Sequence, residues 1–271
     1  MNKKSSQEPL GDFVSLHRNG RVVEVRFDRG DGLNALSVKA MTELRDVARR
    51  LADDADSSVI VLKGGKTFSA GADLSDPLLR GLEEKPIVEQ RTIMRLGPDM
   101  CQAWADLEQI TIAAINGACV GGGLALAVSC DHRVASSDAL FRLPEVPLGM
   151  NMSWRSVPRL AALLGPSRAK ELIILGRKIK AEAAKDWGLV DRVAVGGTAL
   201  DAAHELASEY ALLPPLALRM AKQAIDVSVQ PLAFATSFMD RDQFLLTRGT
   251  QEQADAISAF LEKRKPKVTS T

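Results

Sequence analysis

Hydrophobic and polar positions along the chain change rhythm near its middle. Arg21-Val-Val-Glu-Val-Arg-Phe27 alternates apolar with polar residues, which predicts a strand with one wet face. Val59-Ile-Val-Leu62 and Ile110–Ile115 are short, wholly apolar runs, the pattern of strands buried on both faces. Between the strands, Ser37 can cap a helix that places Leu44, Val47, Ala48 and Leu51 on one side, and 87–107 carries a long helical pattern. Short strands are predicted at 133–135 and 140–143. Beyond Pro144, helical stretches follow one another with proline and glycine breaks, at 157–164, 166–175, 181–187, 199–212, 216–227 and 250–263. Strands alternating with helices, followed by helices alone, predict an α/β core with a helical C-terminal section.

Composition narrows the partners. The chain has 271 residues, 46% of them hydrophobic, enough for one large core. Its 35 basic and 34 acidic side chains leave a formal charge of +1, which argues against a nucleic acid or a membrane as the main partner. Cys101, Cys119 and Cys130 are odd in number and show no paired spacing, so a reducing, cytoplasmic setting is expected. Residues 1–11 have two lysines but no apolar stretch behind them and read as a disordered leader rather than a signal peptide. The uncharged stretch 110–130 is long enough for a membrane span of ~20 residues. Asn116-Gly117 and Gly121-Gly-Gly123 interrupt it, however, and the pattern reads as buried strand, glycine loop and buried helix.

Two glycine-bearing loops, each after a buried strand, carry the candidate chemistry. The first is Gly64-Gly-Lys-Thr-Phe-Ser-Ala-Gly-Ala-Asp73; the second, Asn116-Gly-Ala-Cys-Val-Gly-Gly-Gly123, runs into an apolar helix. Small residues let backbone approach a ligand closely, and a loop opening a helix offers unpaired N–H groups. Two such loops at one sheet edge can aim two N–H groups at one oxygen, as an oxyanion hole does. Glycine loops after strands are common, and on spacing alone ordinary turns, in which Asp73 simply caps a helix, are the default. Nucleotide motifs fit worse: the first glycine of a Walker A loop falls on Ile60, and the third of a dinucleotide fingerprint on Leu126. His17, His132 and His204 are scattered, which gives no metal signature, and there is no G-x-S-x-G nucleophile elbow.

Leu33-Asn-Ala-Leu-Ser37, Phe68-Ser-Ala-Gly-Ala-Asp-Leu74, the second loop, Pro144-Glu145-Val146 and Leu148-Gly149 together resemble the enoyl-CoA hydratase/isomerase (crotonase) superfamily in order and spacing. Ala181-Glu-Ala-Ala-Lys-Asp-Trp-Gly-Leu-Val190 and Ala259-Phe-Leu-Glu-Lys-Arg-Lys-Pro266 extend the resemblance over nearly all of the chain after Asp12. It implies a crotonase-like α/β spiral of ββα units over 12–200, and a helical region at 201–271 that assembles homotrimers or hexamers. It also implies an acyl-CoA thioester substrate, with coenzyme A entering as part of that substrate and no separate cofactor. The backbone N–H groups of Ala72 and Gly122 would bind the thioester oxygen as the substrate becomes an enolate. Ala70, Asp73, Leu74, Ser75 and Gly121 would lie along the substrate, and Phe260 and Lys263 near the adenosine and phosphates.

Hydratases of this family carry two glutamates, and here the first position is Ala125 while the second is Glu145. A single carboxylate suits a Δ3-to-Δ2 double-bond shift, in which one group takes a proton from one carbon and returns it to another. Hydration, hydrolysis, decarboxylation and dehalogenation remain alternatives within the family. A non-catalytic acyl-CoA-binding homologue is the alternative outside enzymology. A second departure follows Gly149, where a glycine-rich turn is common. Met150-Asn-Met-Ser-Trp-Arg-Ser-Val-Pro-Arg159 stands there instead. Met152 and Trp154 could reshape the acyl pocket or merely pack, and Arg155 could meet a substrate anion or a protein carboxylate.

Overall fold

The computed structural model describes residues 7–229, 232–262 and 264. The alternating run at Val22–Phe27 and the apolar runs at Val59–Lys63 and Ile110–Ile115 lie side by side, as their patterns require. In chain order the strands are β1 (Gln7–Pro9), β2 (Val14–Asn19), β3 (Val22–Phe27), β4 (Val59–Lys63), β5 (Ile110–Ile115), β6 (Ala118–Val120), β7 (His132–Ala135), β8 (Leu140–Arg142), β9 (Ile179–Lys180) and β10 (Arg192–Val193). The main sheet runs β1-β2-β3-β4-β5-β7-β10, antiparallel up to β3 and parallel beyond it. The smaller sheet is β6-β8-β9.

Helices cover both faces of the main sheet, which is why β4 and β5 are apolar throughout. Along the first half run α1 (Val38–Ala52), α2 (Pro77–Arg80), α3 (Ile87–Met94), α4 (Leu96–Ala105) and α5 (Gly122–Ala127). Ser37 caps α1, its Oγ accepting from the Ala40 N–H, and Leu44, Val47, Ala48 and Leu51 are buried together. The expected single helix over 87–107 is two helices meeting at Arg95. Pro98 is the reason: inside a continuing helix its ring would clash with the carbonyl four residues back, whereas the first turn of a new helix tolerates it. Trp104 fastens α4 to α1 by donating from Nε1 to the Leu44 carbonyl at 3.0 Å.

After Glu145 come α6 (Ser156–Ile173), α7 (Ala181–Trp187), α8 (Ala199–Ala211), α9 (Pro215–Val229), α10 (Ala233–Ser237), α11 (Asp240–Thr247) and α12 (Gln251–Leu261). The two helices expected at 157–164 and 166–175 join through a kink at Gly165, where φ is +70°. The boundary expected at 200 falls inside the first turn of α8. That helix buries Ala199, Ala203, Leu206 and Ala207 against Val59, Val61, Ile112 and Val134, so the helical section closes the second face of the sheet. Lys222 of α9 reinforces the closure, donating to Asp131 Oδ2 at 2.7 Å and to the Gln109 carbonyl at 2.8 Å. At the other end, Gln7–Pro9 lies within the expected leader 1–11 yet pairs antiparallel with β2, whose edge groups would otherwise be unpaired. Among the described residues no helix is long and apolar enough to cross a membrane, and 110–130 folds as β5, β6 and the short α5.

Candidate active site

The two glycine loops lie against each other. Ser69 donates its N–H to the Ala118 carbonyl at 2.9 Å and accepts from the Val120 N–H at 3.0 Å. On the other side, Leu36 donates to the Gly71 carbonyl at 2.7 Å and accepts from the Asp73 N–H at 3.0 Å, so Ala72 is held from both flanks. Gly71 has φ +94°, and a Cβ built on it would lie 2.8 Å from the Val120 carbonyl oxygen and 3.5 Å from the Gly122 nitrogen. Only glycine allows this approach. Among the described residues the N–H groups of Ala72 and Gly122 have no hydrogen-bond acceptor. The geometry therefore brings the two expected donors onto adjoining loops.

Asp73 does not cap a helix; Asp76 does that, accepting from the Leu78 N–H at 2.9 Å. Asp73 instead anchors the first loop, with Oδ2 accepting from Arg29 Nη1 at 2.6 Å and Oδ1 from the Ser75 N–H at 2.9 Å. Arg29 also donates to the Ala35 carbonyl. Burial opposes ionisation of Asp73, but the Ser75 and Arg29 hydrogen bonds outweigh it and hold the carboxyl below its ordinary value. Ala70 is half-buried, while Leu74 and Ser75 are exposed at the rim.

Glu145 follows β8 and opens a short 3-10 turn, Val146–Leu148. Its backbone carbonyl accepts from the N–H groups of Leu148 and Met150. The side chain reaches the second loop: a Cβ built on Gly121 would stand 2.8 Å from Glu145 Oε1. Gly121 has φ +53° and donates its N–H to the Arg142 carbonyl, which fixes the turn beside the carboxylate. Glu145 Oε2 is sealed from solvent and has no hydrogen-bond partner among the described residues. Burial accordingly pushes the carboxyl up to about 7, against weaker downward pulls from a hydrogen bond to its own backbone N–H and from the Arg142 charge. A desolvated carboxyl with a pKa near neutrality, set beside Gly121 whose neighbour Gly122 carries an unengaged amide, is chemically able to exchange a proton.

Ala125 lies fully buried in α5, and its carbonyl accepts from Ser129 Oγ. Trp154 is also buried. A Cβ on Gly122 would lie 2.3 Å from Trp154 Cζ3, and one on Gly97 would lie 2.2 Å from Cε2. Arg155 Nη1 donates to Gln102 Oε1, and the Arg155 N–H to Asp240 Oδ2. Phe260 is half-exposed on α12, with the Arg142 guanidinium 5.9 Å from its ring centroid. Lys263 lies outside the described residues. A cavity of about 650 Å³ lined by Asp131, His132, Arg159, Tyr210, Lys222 and Asp226, among others, includes none of Ala72, Gly122 and Glu145. Sequence reasoning missed Arg29, Arg142 and Gly97. Only the last had a signal, a glycine-proline pair inside a helical pattern.

The sequence model described as enoyl-CoA hydratase/isomerase matches residues 17–271. The chain is 35% identical over 254 residues to the short-chain-enoyl-CoA hydratase of Clostridium acetobutylicum, covering 93% of this chain and 95% of that one. It is 34% identical to the 2,3-dehydroadipyl-CoA hydratase of Escherichia coli, with 93% and 96% covered. Among solved structures, the enoyl-CoA hydratase from Bacillus anthracis superposes with a TM-score of 0.73 at 31% identity, over 94% of this chain and 98% of that one.

Proposed function

The chain belongs to the enoyl-CoA hydratase/isomerase family and has its crotonase fold, and on that premise we propose that it moves the double bond of a 3-enoyl-CoA to the 2-position. The observation that carries this reading is Glu145: its carboxyl, pushed up to about 7, abuts the turn that presents the Gly122 N–H. In the reaction the thioester oxygen accepts from the Ala72 and Gly122 N–H groups. Ionised Glu145 takes the proton from the α-carbon, the electron pair spreads into a dienolate, and the same carboxyl returns the proton to the γ-carbon. The two donors act chiefly on the dienolate, where charge is greatest, so they lower the barrier rather than merely tighten binding. A carboxyl titrating near the working pH can both accept and return a proton. Ala125 supports a single shuttle, because its methyl group cannot hold or deprotonate water.

Hydration is the second reading, favoured by the names of the relatives. Incubation with 3-enoyl-CoA and 2-enoyl-CoA separates the two. Chromatography resolves the positional isomers, and mass spectrometry reports added water. Isomerisation is expected from the wild type, with a loss of ~10²-fold or more in Glu145→Gln. Equal turnover by the two proteins would remove Glu145 from the chemistry, and acyl-CoA binding without turnover of either thioester would leave a binding protein. The same reading places the coenzyme's adenosine and phosphates near Phe260 and Lys263, needs no cofactor beyond the substrate's own coenzyme, and sets the enzyme in the cytoplasm. It has the protein trimeric through the C-terminal helices, where Leu216, Met220, Ile225 and Val227 expose apolar side chains. A monomeric mass by light scattering would contradict that assembly.

A further inference from the structure

Trp154, in the segment that follows Gly149, lies with its ring against both Gly97 and Gly122. We propose that its indole is the wall that limits the acyl chain, so that the site accepts short acyl groups. This inference rests on the acyl-CoA reading given above and adds to it the class of acyl group.

The ring spans two helix starts. Its six-membered edge faces Gly122, where a Cβ would lie 2.3 Å from Cζ3 and 2.4 Å from Cη2. Its five-membered edge faces Gly97 in the first turn of α4, where a Cβ would lie 2.2 Å from Cε2 and 2.5 Å from Nε1. Glycine at both faces is what lets the indole fit. On the acyl-CoA reading the carbonyl oxygen sits on the Gly122 N–H, and the ring fills the space between that residue and Gly97 of α4, so a chain running from Gly122 toward α4 would meet it.

The wall is also fixed in place. Trp154 and Arg155 have φ of +61° and +55°, a left-handed pair without glycine. Such strain persists only where the surroundings over-determine it. Here the Arg155 N–H donates to Asp240 Oδ2 at 2.7 Å, and Arg155 Nη1 to Gln102 Oε1 at 3.0 Å. Arg159 closes the ring of contacts, donating to the Arg155 carbonyl at 2.9 Å and to Gln102 Oε1 at 3.2 Å. The turn is thereby tied to α4, α6 and α11. Buried Met152 belongs to the same apolar cluster as the indole.

Calorimetric binding of saturated butyryl-, hexanoyl-, octanoyl- and dodecanoyl-CoA tests this without any turnover. For wild type the affinity should stop rising, or fall, beyond the shorter chains. In Trp154→Ala each methylene that gains a buried place tightens binding roughly fourfold, so the dodecanoyl-to-butyryl affinity ratio should rise by at least about tenfold. Trp154→Phe keeps an aromatic wall but shortens it, and should shift the ratio the same way by less. It serves as the readout if the alanine variant fails to fold by circular dichroism. A uniform change for all four ligands would make Trp154 a packing residue and overturn the proposal. Absence of binding of any acyl-CoA to the wild type would sink the acyl-CoA reading beneath it, a result visible before any variant is made.

Discussion

Glu145→Gln tests the burial of the site carboxylate by a route that needs no substrate. The carboxyl titrates at about 7 in the folded protein against its ordinary 4.5. Between those values the folded protein keeps a proton that the unfolded chain has released, so stability falls as pH rises. The loss begins near pH 4.5 and is complete a little above 7. At 1.36 kcal/mol per pH unit the interval amounts to about 3 kcal/mol. That figure is a ceiling, because Oε2 is sealed while the residue as a whole is only half-buried. The variant's amide does not titrate, so its stability lacks this component. The difference between variant and wild type should therefore climb by up to about 3 kcal/mol from pH 4.5 to 8, in the variant's favour. Urea unfolding followed by circular dichroism at closely spaced pH values measures it, and taking the difference cancels other carboxyls. Asp226 and Asp240, which burial pushes up, and Asp191, which the His132 hydrogen bond and Arg133 hold down against burial, are common to both proteins. A difference that stays flat across this range would refute the desolvation of the carboxylate and the proton-transfer argument built on it.

Gly122→Ala should reduce kcat by about 10²–10³, the usual effect of losing one oxyanion donor, because its Cβ meets the Trp154 ring at 2.3 Å and must displace the turn. Adding Trp154→Ala should recover part of that loss, and steady-state kinetics of the single and double variants would show whether it does. Lys222→Met separates stability from chemistry. It strips the ammonium from Asp131, partner of a part-buried ion pair at 2.7 Å, and should lower unfolding stability by at most about 3–5 kcal/mol, since Thr111 still donates to Asp131, while kcat/KM holds. A kinetic loss as large as the stability loss would tie α9 to the active site instead.

Where one local rule dominates, the sequence was enough. β5 matches its apolar run end for end, and the α1 cap and buried face are where Ser37 and the heptad-like spacing put them. The two glycine loops stood out by their small residues, and Gly71, with φ +94° beside the Val120 carbonyl, shows why their close approach needs glycine. Most of what failed depended on contacts between distant segments. Nothing near Trp154 announces that its ring will lie between Gly97 and Gly122. The split of α3 from α4 needed more weight on Pro98 than on apolar spacing. The β1 strand is too short and polar to register as anything but a leader, yet a vacant sheet edge recruits it. α10 and α11 have no strong periodicity, and α11 earns its place through Asp240, whose carboxylate receives the Arg155 N–H.

The two departures from the family pattern reinforce one another physically. Removing the first glutamate leaves Ala125, fully buried, beside Leu124 and Leu126. Replacing the glycine-rich turn brings in Met152 and Trp154, both buried in the same cluster. A second carboxylate nearby would have raised the Glu145 pKa by like-charge repulsion. Here desolvation does so alone, and the opposing charge of Arg142 is partly spent elsewhere. Its Nε donates to the Gly176 carbonyl at 3.0 Å, and its guanidinium lies over the Phe260 ring. Burial therefore brings the Glu145 carboxyl close to neutrality by a different physical route.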